Sequence, residues 1–312
     1  MDFVSVALQM VTVSLPILLG WVIAKLGLMS EQFERELSRL LLEVALPCLT
    51  LSSAMGDVEL PSFVDTFVLI GITTLLYAVA IVVALVVTAA MRVPKGTEGV
   101  YQFMVIFGNC GFIGFPVITA ILGKQALLYA AIGLIPANIF MFTIAIMLFS
   151  GLEGGVKRQL RNLASCFKTP GLLSSIAVLV MVLTGFTDWG VLGDSITIVG
   201  NMTTPCALLL MGSSISKYNP VSMLTNWRAY VVAACRLLVA PLIGLALLRL
   251  WPGLNPLFIT TLVLEVAMPV GSNGTLYCIQ YNKDALPMMQ GTFISIVASI
   301  VTIPLVTVLA SM

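Results

Sequence analysis

The chain has no histidine and very little charge. Its 312 residues include 15 Lys and Arg, 14 Asp and Glu, and charged residues make up 9% of the total. The missing histidine excludes imidazole-bound metals and histidine acid–base catalysis. The shortage of charge excludes a water-facing surface, because a soluble domain carries roughly 25% charged residues. A net charge of +1 gives nucleic acid no electrostatic hold, and no nucleic-acid partner is expected. The six cysteines (Cys48, Cys110, Cys166, Cys206, Cys235 and Cys278) have no C-x-x-C spacing, and five lie in apolar stretches. They read as small packing residues rather than a disulfide frame or metal site. No phosphate-binding glycine-rich motif is present, so energy for any transport must come from gradients. Met1-Asp2-Phe3 lacks the basic run of a cleavable signal peptide, and the first apolar stretch reads as a retained helix.

Apolar residues are abundant instead. They form 59% of the chain, and the mean hydropathy is +1.09. The solvent is therefore lipid. About 20 apolar residues cross a hydrocarbon core, and that ruler gives ten spans, near 4–24, 34–55, 62–91, 98–122, 125–149, 171–187, 190–215, 227–250, 255–281 and 285–309. The third is long enough to be tilted. With both termini outside, the inner loops hold Lys25, Arg35, Arg39, Arg92, Lys95, Lys157, Arg158, Arg161, Lys168, Lys217, Arg228 and Lys283, while the outer loops hold only Lys124 and Arg249. That asymmetry sets the orientation. Asp57, Glu59, Asp65, Asp188 and Asp194 fall on the outer side or its margins.

The second half echoes the first at an offset of about 158 residues. Gly123-Lys124-Gln125-Ala126-Leu127 returns as Asn282-Lys283-Asp284-Ala285-Leu286, and Leu46-Pro47-Cys48-Leu49 as Thr204-Pro205-Cys206-Ala207. Five spans per half is an odd number, so the halves sit upside down relative to each other. The fold class read from this is an all-α polytopic membrane protein of ten transmembrane helices in two inverted five-helix repeats, 1–150 and 171–312, joined by a cytoplasmic linker, 151–170. Spans 4 and 9 are interrupted at matching places. The first carries Phe107-Gly108-Asn109-Cys110-Gly111-Phe112-Ile113-Gly114-Phe115-Pro116, and the second Glu265-Val266-Ala267-Met268-Pro269-Val270-Gly271-Ser272-Asn273-Gly274. Gly and Pro weaken a helix, and Pro frees a carbonyl. Paired broken helices in inverted repeats point to a secondary transporter whose site lies near the midplane. Half-helix N-termini there favour an anion, and exposed carbonyls a cation. The plainer alternative is a pair of glycine-rich packing faces with proline kinks.

Glu43, Arg236 and Glu265 lie well inside spans, where ionisable groups are costly. Glu265, four residues before Pro269, could bind Na⁺ with backbone carbonyls or carry a proton; the structural alternative is an ion pair with Arg236. Arg236 could make that pair or bind a substrate carboxylate. Glu43 stands four residues before Pro47, and its repeat counterpart Asn201 four before Pro205. Both are expected to face the bundle interior, as secondary site candidates or as partners in a helix–helix hydrogen bond. Asn201-Met202-Thr203 is formally a glycosylation sequon but falls within a span.

The chain resembles the auxin efflux carrier family, including bacterial members described as malonate or malate permeases. The residues that carry the likeness are Leu15-Pro16-Ile17-Leu18-Leu19-Gly20-Trp21 with Gly27-Leu28-Met29-Ser30, Leu37-Ser38-Arg39-Leu40 with Ala45-Leu46-Pro47, the Asn109–Pro116 segment, and Ala267-Met268-Pro269 with Asn273. That family is similar in fold to the bile acid:sodium symporters. The resemblance implies a scaffold of spans 1, 2, 6 and 7, a core of spans 3–5 and 8–10 in which spans 4 and 9 cross, and elevator-like motion of core against scaffold. It implies a bacterial inner (cell) membrane location. Glu265-Val266-Ala267-Met268 looks like the crossover of the sodium symporters, which puts Glu265, with Asn109, at a sodium site; Pro269 departs from that pattern.

The reading that follows is a secondary active transporter of a small organic anion, a dicarboxylate such as malonate or malate, and not an enzyme. Asn109, Gly111, Gly114, Pro116, Pro269, Ser272, Asn273 and Arg236 are expected to shape the substrate site, and Glu265 to couple Na⁺ or H⁺, with no other cofactor. Lipid and the anion are the expected partners, with a homodimer and a monomer both compatible. The alternatives are a membrane sensor or scaffold that binds ligand without moving it, a sodium-coupled symporter of a larger amphipathic anion, and a passive channel.

Overall fold

In a computed structural model, residues 3–56, 58–150, 164–165, 167–217 and 219–311 are described. Most of the expected linker, with Lys157, Arg158 and Arg161, lies outside them, as do Asp57 and Cys166. The described chain is helical and has no strand. α1 covers Phe3–Lys25, α2 Glu31–Leu40, α3 Leu46–Ser52, α4 Phe63–Ala90, α5 Glu98–Ile106, α6 Phe115–Leu122, α7 Lys124–Phe140 and α8 Ile146–Ser150. In the second half, α9 covers Pro170–Thr184, α10 Gly190–Asn201, α11 Thr203–Ser216, α12 Pro220–Met223, α13 Trp227–Ala234, α14 Ala240–Arg249, α15 Pro256–Val266, α16 Asn273–Gln280 and α17 Leu286–Ser311. Single π turns at Leu41–Ala45, Cys110–Gly114, Met141–Ala145 and Cys235–Val239 join α2 to α3, lead into α6, and join α7 to α8 and α13 to α14.

Helices therefore occupy each stretch that the apolar ruler marks. Among the described residues, five stretches are long and apolar enough on their own to cross a membrane: Phe63–Ala90, Lys124–Ser150, Gly190–Ser216, Trp227–Arg249 and Leu286–Ser311. Shorter apolar helices include Pro170–Thr184 and Pro256–Val266. α4 runs 28 residues without a break, about 42 Å, which a hydrocarbon layer of about 30 Å accommodates by tilt.

The helix ends follow local chemistry. Gly27, at φ +75°, stops α1, because only a residue without a Cβ takes that turn at no cost. Ser30 then caps α2 by accepting from the Phe33 amide at 3.1 Å, and Ser62 opens α4 by accepting from Asp65 at 3.1 Å.

Packing relies on small residues, as expected where lipid supplies no hydrophobic drive between helices. α1 lies against α11 along Gly20 and Gly212, and α3 lies against α9 and α10. A Cβ on Gly212 would stand 1.9 Å from the Ile17 carbonyl oxygen, and one on Gly20 would stand 2.1 Å from that of Leu209. α4 packs on α5 and α7, α15 on α7 and α17, and α13 on α17. Aromatic rings fill the space around α5: Tyr77 stacks on Phe140 at 5.2 Å, and Phe103 meets Phe107 at 5.0 Å and Tyr277 at 5.9 Å. Gly212→Ala is expected to force α1 and α11 apart and to destabilise the fold by about 1–3 kcal/mol, the cost of overpacking. Gly171→Ala, with nothing within 4 Å of the added carbon, is the matched control; thermal unfolding in detergent compares the two.

Candidate functional site

The two interrupted segments cross. α5 stops at Ile106 because Phe107 turns extended (φ −107°, ψ 113°). α15 stops at Val266, ahead of Pro269, which lacks an N–H and disfavours helical backbone at Met268. Gly108 and Val270 then face each other as an isolated antiparallel bridge. Asn109 N donates to Pro269 O at 2.8 Å, and Gly271 N to Phe107 O at 3.0 Å. Val270 N finds the Ser295 hydroxyl at 3.1 Å. The crossing backbone is thus satisfied by itself and by neighbouring protein, as membrane depth demands. A Cβ on Gly114 would lie 3.1 Å from Met268 Cγ, so glycine there admits the crossing segment closely.

One face of the crossover is sealed by Arg236, in the π turn between α13 and α14. Its side chain is 2% exposed. Nε donates to Met268 O at 3.0 Å, Nη1 to Ile106 O at 2.8 Å and Val105 O at 3.2 Å, and Nη2 to Glu265 O at 3.3 Å. These are the carbonyl ends of α5 and α15, where two helix dipoles present their negative poles. The alternative of an ion pair between Arg236 and the Glu265 carboxylate is not found among the described residues. Among the described residues the ion pairs are Arg39–Glu43 and Lys217–Glu34; Arg236 takes the main-chain oxygen of Glu265 instead. Nor is its guanidinium free for a substrate, since four of its five donors are spent on carbonyls.

The Glu265 side chain, 6% exposed, enters a cavity of about 20 Å³ with Thr73, Tyr77, Cys110, Gly133 and Arg236 in its wall. That is space for one water or one bare ion. The carboxylate rests on α7 where Gly133 has no side chain: a Cβ there would be 2.8 Å from Oε2. The described residues supply no hydrogen bond to this carboxylate, while Cys110 Sγ donates to the Glu265 main-chain oxygen at 3.4 Å. Asn109 does not line this cavity.

Asn109 belongs to the other face. Its Nδ2 donates to Ser272 Oγ at 2.9 Å, and its Oδ1 accepts from Phe112 N at 3.2 Å, capping the turn that leads into α6. Ser272 and Asn273 are exposed, and Asn109 and Gly111 half-buried. This face looks toward α3, where a Cβ on Gly111 would meet Leu46 Cδ2 at 3.3 Å. The N-terminal ends of the second half-helices, α6 with its π turn and α16, start here. The remaining expected site residues, Gly114, Pro116 and Pro269, are buried within the crossover and shape it without reaching the accessible face.

A family model described as "Membrane transport protein" matches residues 5–307. This chain belongs to the auxin efflux carrier family of membrane transporters. It is 24% identical over 307 residues to an uncharacterized transporter of Methanothermobacter thermautotrophicus, covering 98% of each. It is 22% identical over 314 residues to an uncharacterized transporter of Methanocaldococcus jannaschii, covering 98% of this chain and 97% of the relative.

Glu43 and Asn201 are not packed into the bundle interior. Both are exposed, and Glu43 accepts from Arg39 Nε at 2.9 Å in an i,i+4 pair whose side chains are 52% and 76% exposed, a pair worth little. At Glu43 the π turn Leu41–Ala45 accounts for this. It places Leu41 and Ala45, each 0% exposed, on the packed face and rotates the residues between them outward. Asn201 is the last residue of α10. Conversely, no sequence signal marked Thr73, Tyr77 or Gly133; they join the cavity because α4 and α7 pack beside α15.

Proposed function

We propose that this membrane transporter is a secondary active carrier of a small organic anion, a dicarboxylate such as malonate or malate, bound on the accessible face of the crossover. One observation carries the reading. The positive ends of two half-helices meet on the face that bears Asn109, Gly111, Ser272 and Asn273, while both negative ends turn away onto Arg236. Peptide N–H groups at those ends and the Asn109, Ser272 and Asn273 side chains suit a carboxylate. The substrate face abuts α3, and an elevator in which the crossover slides past α1, α3, α9, α10 and α11 would move it along the faces where α9 packs on α7 and α1 on α17. The orientation proposed is the one that puts the basic loops inside the cell membrane.

Glu265 is the coupling group in this reading, and the proton its ion. It faces Arg236 from the α13–α14 helix, Tyr77 from α4 and Cys110 from the facing crossover segment. The test is uptake of labelled malonate into proteoliposomes under an imposed proton gradient. Accumulation above the external concentration is expected. Equilibration without accumulation would make the protein a passive channel. Binding without flux would make it a sensor, and a protein inert to malonate but active in a wider anion screen would keep the carrier and discard the dicarboxylate.

A further inference from the structure

Carbonyls exposed at the ends of broken helices are a ready cation site at membrane depth. In this protein those carbonyls are occupied by part of the chain. Val105 and Ile106 from one crossing segment, and Glu265 and Met268 from the other, accept from a single guanidinium at 2.8–3.3 Å. The fit extends to the backbone beneath it. Gly108 leaves bare the spot where a Cβ would stand 1.9 Å from Nη2. A buried charge is ordinarily paired, and an arginine also caps the last carbonyls of a single helix. This one meets main chain from both halves of the crossover, and the Glu265 carboxylate shares its cavity without an ion pair.

We propose that Arg236 is a resident cation, a covalently tethered substitute for a coupling sodium, and that it makes the crossover complete without any monovalent metal ion. A second cation on the same oxygens would compete for acceptors already bonded and would repel a like charge where the effective dielectric is low. A dissociable ion would have to be reloaded in each cycle; a tethered one holds the two segments together whether or not substrate is bound. Transport is therefore Na⁺-independent. The position also defines a ligand: with the side chain trimmed, the vacated space is shaped for free guanidinium.

The flux arm of the test rests on the carrier reading above; the binding arm does not. Wild-type protein and Arg236→Ala are reconstituted, and malonate uptake is compared in sodium and choline media. In parallel, both are unfolded thermally with millimolar guanidinium, sodium or choline chloride. Wild-type flux is expected to be the same in sodium and choline. Arg236→Ala should lose flux by about a hundredfold or more, the scale of removing a buried hydrogen-bonded charge, and guanidinium should restore it. Guanidinium, and not sodium, should raise the unfolding midpoint of Arg236→Ala while leaving the wild type unmoved. Sodium-dependent wild-type flux, or an Arg236→Ala protein that guanidinium does not stabilise, would overturn the proposal. If Arg236→Ala does not fold, Arg236→Lys serves, since it keeps the charge with fewer donors: reduced flux that stays sodium-independent is expected, and acquired sodium dependence would refute the idea. Absence of malonate flux in the wild type counts against the carrier reading alone, because the thermal measurement still decides whether the pocket is a guanidinium site.

Discussion

Gly108→Ala is expected to abolish transport and to cost about 3–5 kcal/mol of stability, although it adds one methyl group. The new Cβ would lie 1.9 Å from Arg236 Nη2, 2.9 Å from Cζ and 3.1 Å from Met268 O. None of these can give way cheaply. The guanidinium is held on four carbonyls, and Gly108 itself is pinned by bonds on both sides, Phe107 O to Gly271 N and Asn109 N to Pro269 O. Displacing the guanidinium leaves a buried charge without acceptors and the carbonyl ends of α5 and α15 without donors. Both losses are far larger than the ordinary effect of a methyl group. Gly71→Ala provides the contrast. That glycine lies inside α4 with nothing within 4 Å of the added carbon, so helix propensity alone predicts a gain of about 0.8–1.0 kcal/mol. Thermal unfolding together with uptake measures both. A Gly108→Ala protein that transports normally would mean that Arg236 does not occupy its place during the cycle.

The interruption of two helices was legible in the sequence because Gly, Asn and Pro at membrane depth conflict with helix, and the conflict recurs at one offset. Which faces the break would create was not. Asn109, Ser272 and Asn273 share the accessible face because the segments cross at Gly108 and Val270, a contact between residues about 160 positions apart in the chain. For Arg236 the sequence leaves two partners open, the Glu265 carboxylate and a substrate carboxylate, and names no main-chain acceptor. A buried arginine suggests a carboxylate, and the number of carbonyls that a crossover frees in one place appears only in three dimensions. Glu43 and Asn201 share a spacing from prolines but not a local backbone. At Glu43 a single π turn shifts the helical phase by about 100°, which periodicity read along the sequence does not record, whereas Asn201 is the last residue of α10. Gly133, by contrast, carries no local signal; its meaning comes wholly from the carboxylate lying against it.

Replacing that carboxylate separates coupling from permeation. Glu265→Gln preserves the shape resting on Gly133 and removes the charge. If proton movement is tied to Glu265, the variant should still bind and exchange substrate but should no longer concentrate it. A gradient of one pH unit is worth about 1.4 kcal/mol, or roughly tenfold accumulation per coupled proton, so the ratio of internal to external substrate should fall from about ten to about one. The variant should also unfold at a lower temperature, because Arg236 then shares its cavity with no opposite charge. Gly133→Ala controls for position: its Cβ would press on Oε2 from 2.8 Å, displacing the carboxylate while keeping the charge. Coupling lost in Glu265→Gln but retained, with slower turnover, in Gly133→Ala identifies the ionisable group as the agent. Equal loss in both makes packing at α7 the requirement, and coupling unchanged in Glu265→Gln removes Glu265 from the mechanism and leaves the membrane potential acting on the anion as the driving force.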